Sequence, residues 1–145
     1  MNTDLLHDRM AITDVTVEYC WALDQREFQR LRKVFLPDAV FTIGTKANVG
    51  IEAIIARCSG ALGPLDDSQH LISSHQIVVT GDRATSRCYL QAQHVRRDTD
   101  GGPNFIIAGR YEDDLVRTAD GWRIEKRTLT TMWVEGNAKV VQPNR

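Results

Sequence analysis

The order of apolar and polar residues divides the chain into a helical first part and a strand-rich remainder. Leu5, Leu6, Met10, Ile12, Val15, Tyr19 and Leu23 recur at steps of three and four residues, the stripe of an amphipathic helix. Thr3 or Asp4 is the expected cap, with polar Asp8 and Arg9 in the first turns. A second short helix is predicted around Phe28, Leu31, Val34 and Phe35, with Arg30, Arg32 and Lys33 on its polar side and Pro37-Asp38 as its stop. Residues 39–43 form a short strand ending at Gly44, and residues 51–58 a further helix closed by the Gly- and Pro-containing run 59–64. From His70 onward the texture is that of strands, over residues 70–80, 84–96, 105–116 and 122–134. Turn residues at Gly81-Asp82, 99–103 and 119–121 separate them, and connections this short join antiparallel neighbours. Helices followed by an antiparallel meander predict the α+β class, with the helices packed on one face of a strongly curved sheet. Closed by the long N-terminal helix, such a sheet is a cone with a pocket inside. Chemistry is expected where polar residues interrupt its apolar lining.

Composition narrows the function. At 145 residues the chain is the size of one domain and is expected to be one, 1–145. Its 18 Lys and Arg against 19 Asp and Glu leave a net charge of −1, so no basic excess is available to neutralise a run of phosphates. Nucleic acid is therefore not an expected partner. No apolar stretch approaches the ~20 residues of a membrane span, and residues 1–8 lack the basic and apolar segments of a signal peptide. Three cysteines, Cys20, Cys58 and Cys88, form no Cys-x-x-Cys pair. An odd number without metal-ligand spacing fits a reducing compartment, and a cytoplasmic location is expected.

Few residues are candidates for chemistry. Asp24 ends the first helix, where the macrodipole disfavours an acid, and it follows Cys20 by four residues on the same face. A buried carboxylate there needs a hydrogen-bonding partner. His70 opens the first long strand, and His75, an odd number of residues later, is expected on the opposite face as a structural or interfacial residue. His94 returns toward His70 on the next strand. A two-residue Gly81-Asp82 loop would pair His70 with Gln93 and turn His94 away. A three-residue loop would pair the histidines directly, on one face with Ser86, Cys88, Leu90 and Ala92. A Gly-first loop favours the former. The apolar content of the even-numbered face favours the latter or a bulge, and the direct pairing is the preferred reading. Arg127 on the last strand is a candidate anion or oxyanion holder. Tyr19, Trp21, Cys88, Leu90, Tyr111 and Trp133 are candidate substrate contacts. No His-x-His or His-x-x-x-His pair shares a face, so no metal site is expected.

The order of Tyr19 through Asp24, Phe35-Leu-Pro-Asp-Ala-Val-Phe41, Gln69-His70, Gly81-Asp-Arg-Ala84, Gly109-Arg-Tyr-Glu-Asp113 and Asp120-Gly-Trp-Arg-Ile124 resembles the SnoaL-like branch of the NTF2-like superfamily. It is similar to scytalone dehydratase and hexachlorocyclohexane dehydrochlorinase from about Leu6 to Gly136. The resemblance implies a cone-shaped α+β barrel, an Asp–His base dyad at Asp24 and His70, and no cofactor. His94 lies at an offset similar to that of a second pocket histidine in scytalone dehydratase. Arg127 falls on an arginine of the dehydrochlorinase. Tyr19 stands where the dehydrochlorinase has a lysine, which argues against chloride as the leaving group, and Leu23 precedes Asp24 where the dehydratase tyrosine pair is not reproduced. The expected activity is a cofactor-independent lyase of the dehydratase type acting on a small, mostly apolar cyclic or carbonyl substrate. An isomerase or cyclase would use the same proton abstraction, and a non-catalytic ligand-binding or scaffold module is the other class. A homo-oligomer, trimer or dimer, is expected from the exposed sheet face.

Overall fold

A computed structural model describes residues 3–142. Helix α1 (Thr3–Asp24) buries Ile12, Thr16, Tyr19, Cys20 and Leu23, a stripe at three- and four-residue steps that faces the sheet. Leu5, Leu6 and Met10 are exposed, so the stripe starts later than the apolar pattern suggests. Polar contacts hold the first turns instead. Arg117 Nη1 and Nη2 donate to the two carboxylate oxygens of Asp8 at 2.6 and 2.8 Å, and Trp122 Nε1 donates to Asp8 at 3.1 Å. The described helix runs from Thr3 through Asp4, and the Thr3 side chain, one of the two expected caps, falls outside the described residues together with the residues ahead of it.

The predicted second helix is a 3-10 turn (Phe28–Lys33), and the chain enters strand β1 (Phe35–Ile43) at Phe35. Pro37-Asp38 therefore lies within a strand. The pairing of β1 shifts between Phe35 and Val40, because Pro37 has no N–H to offer a ladder. Strand β2 (Lys46–Val49), not foreseen from the pattern, pairs antiparallel with β1. Helix α2 (Ile51–Leu62) follows, then β3 (Asp67–Thr80), β4 (Arg83–Val95), β5 (Asn104–Thr118) and β6 (Gly121–Gly136). A last 3-10 turn covers Ala138–Val141. The six strands form one sheet ordered β2-β1-β6-β5-β4-β3, antiparallel except where β1 lies parallel to β6. α1 packs over β3 at one edge and α2 over β1 toward the other, so a partly open hollow lies between helices and sheet.

Three bulges decide which side chains face that hollow. The β3–β4 turn is the two-residue form, with Thr80 opposite Arg83 and Gly81 at φ 60°, as a II′ turn requires. An extra residue in β3 between Ser73 and Gln76, with Ser74 at φ 60°, then shifts the register by one. His70 consequently faces Ala92, and His94 faces Ser68. The direct His70–His94 pairing does not form, yet both rings point to the same side, because the bulge achieves what the longer loop would have done. The same bulge turns His75 inward, against the expectation, and Thr16 of α1 lies 3.0 Å from its Nε2. A second bulge at Glu125 lets both Ile124 and Arg127 point inward despite their odd spacing. A third, at Met132, sends Trp133 to the outer face opposite Ala108. Gly109 sits at this third bulge, where any side chain would collide with the Thr130 carbonyl.

At the closed end of the cone Arg127 is fully buried (0% exposed) and donates through Nε and Nη2 to Asp113 at 2.7 and 2.8 Å. Its guanidinium carbon lies 4.4 Å from the Tyr19 ring centroid and 4.1 Å from that of Tyr111, while Nη1 has no acceptor. Ring faces are the compensation left to that edge of the cation. Burial alone would lower the Arg127 pKa, but the adjacent Asp113 carboxylate reverses this and keeps the guanidinium charged. Removing Asp113 strands a buried charge. Asp113→Ala is expected to lose about 3–5 kcal/mol in urea denaturation, whereas Asp113→Leu combined with Arg127→Met recovers most of it. A loss under about 1 kcal/mol would instead be that of a solvent-screened surface pair.

Candidate functional site

The C-terminus of α1 delivers Asp24 to β3. Arg26 takes a left-handed conformation at φ 60°, and its Nη1 donates to the Leu23 and Asp24 carbonyls, both at 3.2 Å. This side chain supplies positive charge and donors to a helix end that an acid would otherwise burden. Arg26 Nη1 also donates to Ser68 Oγ at 2.9 Å, and Ser68 in turn donates to Asp24 Oδ1 at 2.9 Å. Sequence reasoning missed this pair, for which the only signal was an arginine just past a predicted helix end.

The Asp24 carboxylate holds His70 by two bonds. The backbone N–H of His70 donates to Oδ2 at 2.8 Å, and the ring Nδ1 lies 2.6 Å from Oδ1. A carboxylate can only accept, so Nδ1 carries a proton, and Nε2 is the nitrogen that holds the lone pair in the neutral ring. Burial pushes the Asp24 carboxyl up, but the His70 and Ser68 hydrogen bonds outweigh it, and its pKa lies below the ordinary carboxylate value.

His70 lines a cavity of about 210 Å³ between α1, α2 and the concave sheet face. A space of this size holds several waters or one small molecule. Its walls are mostly apolar, from Leu23, Phe41, Leu62, Leu90, Ile107 and Leu129, with Tyr19, His70, His94, Tyr111, Thr131 and Arg57 as polar interruptions. The rings of His70 and His94 meet edge to face at 6.1 Å. His94 Nδ1 lies 3.3 Å from the Phe105 carbonyl, which fixes the proton on Nδ1 and leaves Nε2 an acceptor. Burial, with His70 adding to it, lowers the His94 pKa below the ordinary histidine value, so this ring is neutral near pH 7. Tyr19 and Tyr111 stand edge to face at 5.5 Å; burial raises both phenols, which are neutral donors.

Of the residues singled out from sequence, Asp24, His70, His94, Tyr19, Leu90 and Tyr111 come together at or against this cavity. Asp24 reaches it only through the His70 ring, and the other four lie elsewhere. Arg127 lies below, behind the two tyrosine rings. Cys88 is buried opposite Tyr111 in the β4–β5 ladder, two residues along β4 from Leu90. Trp21 is 56% exposed, because two helical residues past Tyr19 is more than half a turn away; it borders an outer groove between α1 and β3. Trp133 is 44% exposed, turned outward by the bulge at Met132. Arg57 and Cys58 of α2 escaped sequence reasoning, since a short helix over an apolar stripe carries no mark of a pocket wall. Among the described residues no group of three His, Cys, Asp or Glu is placed to hold a metal ion, and no helix is long and apolar enough to cross a membrane.

Comparison with known proteins places this geometry in context. A SnoaL-like domain model matches residues 4–128. The uncharacterized protein Rv2910c of Mycobacterium tuberculosis is 35% identical over 129 residues, 86% of each chain. Among solved structures, the Kfla4162 protein of Kribbella flavida superposes with a TM-score of 0.87 at 27% identity, covering 94% of this chain and 98% of that one. A scytalone dehydratase-like protein of Novosphingobium aromaticivorans gives 0.84 at 24% identity, over 94% and 92%. The hexachlorocyclohexane dehydrochlorinase LinA-type3 of Novosphingobium barchaimii gives 0.80 at 19%, over 98% of both chains. The last two likenesses concern the fold.

The neutral His94 has a measurable consequence. Its folded-state pKa is depressed, so as pH falls below about 6.5 the unfolded chain takes up protons first and stability declines. His75, lowered mainly by burial, acts in the same sense, so the difference between wild type and His94→Gln isolates the His94 share. The variant is expected to show a shallower decline between pH 6.5 and 5, and NMR should find the His94 ring titrating below the ordinary value; a midpoint at or above it would contradict this assignment.

Proposed function

Because this chain belongs to the SnoaL-like family, whose fold here sets an Asp-held histidine in the wall of a mostly apolar cavity, we propose that it is a cofactor-independent carbon–oxygen lyase of the dehydratase type. The observation that carries this reading is the 2.6 Å contact between His70 Nδ1 and Asp24 Oδ1, with the ring in the cavity wall. Asp24 fixes the tautomer and stabilises the imidazolium that forms when Nε2 takes a proton. The proton is one α to a carbonyl, where the electron pair left behind can delocalise. His70 then returns it to the departing hydroxyl, so that a C–H and a C–O bond become a double bond and water. His94, with Nε2 as an acceptor, orients the leaving hydroxyl by receiving its hydrogen bond. Tyr19 and Tyr111 donate to the carbonyl oxygen as charge develops there. Arg127 acts through these tyrosines as a positioning residue. Leu90 and its apolar neighbours exclude water.

A small substrate with a carbonyl and a β-hydroxyl meets these requirements. Isomerisation or cyclisation begins with the same abstraction and differs only in what the electron pair does next. The resemblance of Asp24 and Gln69-His70 to the dyad residues of a dehydratase and a dehydrochlorinase supports elimination. The composition, with its odd free cysteines, supports a cytoplasmic setting.

Hydroxylated cyclic ketones, screened in D₂O by NMR, report both deuterium entry at the α carbon and loss of water. His70→Ala and Asp24→Asn are each expected to lower the turnover so found by roughly 10²–10⁴-fold with unchanged circular dichroism. Near-full activity in both variants would sink the dyad. The outer sheet face exposes Leu71, Val78, Tyr89 and Trp133, an apolar patch that supports a homo-oligomer. Light scattering should give the mass of a dimer or trimer; a monomer at micromolar concentration would refute this.

A further inference from the structure

Arg57 is the one cavity-lining residue among the described ones that carries a formal charge, the rest being apolar, aromatic, hydroxyl, thiol or imidazole groups. It extends from α2 on the face that also carries Cys58, Ala61 and Leu62, residues at helical spacing that all line the cavity. It is only partly exposed, yet among the described residues it makes no ion pair or hydrogen bond through its side chain. The contrast with the other arginines is instructive. Arg30, Arg32, Arg83, Arg97, Arg110, Arg117 and Arg127 each meet a carboxylate within 4.0 Å, and Arg26, Arg87, Arg96 and Arg123 donate to carbonyls or neutral side chains. Arg9, likewise without a side-chain bond among the described residues, is exposed on α1 away from the cavity. Arg127, which lies nearest below the cavity, is already neutralised by Asp113 and shielded by tyrosine rings.

A guanidinium at a cavity wall with no partner among the described residues has all of its donors free for a ligand. Its five N–H donors in a fixed fork match a carboxylate or a similar planar anion. α2 covers the β1 side of the sheet, whereas His70 comes from β3 at the far edge of the same sheet. A molecule filling the cavity therefore meets the base at one side and the free cation at the other.

We propose that the cavity takes an organic anion, a small substrate bearing a carboxylate or a group of like shape and charge, and that Arg57 is the residue that selects it. This deepens the lyase reading and rests on it for the identity of the cavity as a substrate site. The expectation of a mostly apolar substrate is refined accordingly: the body is apolar and one end is charged. Net charge of −1 across the chain hides this, because the positive potential is local to the cavity.

Binding of two probes of nearly equal shape, benzoate and neutral benzamide, tests the assignment without any turnover. In calorimetry the wild-type protein is expected to bind benzoate about tenfold or more tightly than benzamide, with a Kd below about 1 mM. NMR should show the His94 ring resonances moving as benzoate is added. Arg57→Gln should bring the two affinities to near equality, while Arg57→Lys retains part of the preference. Both substitutions keep good helix formers on a partly exposed face, and circular dichroism confirms folding. His70→Ala should keep the benzoate preference, so the base can fail as a catalyst while Arg57 stands, and the reverse. The proposal is overturned if wild type shows no preference or no millimolar binding of benzoate, if benzoate binds without shifting His94, or if Arg57→Gln leaves the ratio unchanged.

Discussion

A single buried charge governs the architecture of the closed end. The Arg127 guanidinium is wholly out of water, and such a cation is tolerable only if every side of it meets a compensating group. Asp113 from the neighbouring strand takes two of its donors, and the faces of Tyr19 and Tyr111 cover the remainder. These four side chains come from α1, β5 and β6, so the ion pair ties helix to sheet through aromatic contacts. Tyr19 in turn fixes the rotation of α1 about its axis. Asp24, five residues on, is thereby aimed at β3.

From that point fold and chemistry share the same atoms. The Asp24 carboxylate is at once the anchor of a helix end, through the His70 backbone N–H and the Ser68 hydroxyl, and the orienting partner of the His70 ring. The two roles reinforce each other, because a carboxylate already held by donors from β3 cannot swing away from the imidazole. At the floor of the cone the Arg127–Asp113 pair is closed by protein groups, with Arg127 Nη1 and Ser86 Oγ left without hydrogen-bond partners among the described residues, while His70, His94 and Arg57 carry polar groups that face the cavity above.

Much of this was legible in the residues. Turn dipeptides bounded all four long strands to within a few positions, since their glycines and aspartates are needed where they stand. The pairing of Asp24 with His70 followed from a resemblance that spans most of the chain. The unread features share one cause. Alternation along a strand says which residues share a face only while the ladder is regular, and each bulge inverts the assignment beyond it. That inversion put His75 inside, Trp133 outside, and both Ile124 and Arg127 in the core. Of the sites, only Ser74 at positive φ departs from ordinary backbone, and serine gives no warning of it. Strand β2 escaped because a four-residue Lys-Ala-Asn-Val segment has too short a pattern to register. Arg57 escaped because a cation at a cavity wall looks, in one dimension, like any solvated helix residue.

The three thiols offer a last consequence. Cys20, Cys58 and Cys88 are all buried and unpaired, and burial pushes their pKa values up to about 12, 11 and 11. Alkylating reagents attack the thiolate, which is then scarce at neutral pH even before access is considered. Labelling is thus limited by how often the molecule opens, and the cysteines become internal clocks of local unfolding, spread over α1, α2 and β4. Of the three, only the Cys58 side chain lines the cavity wall beside Arg57. Its labelling rate alone registers occupancy of the hollow, while the other two keep the time of the scaffold around it.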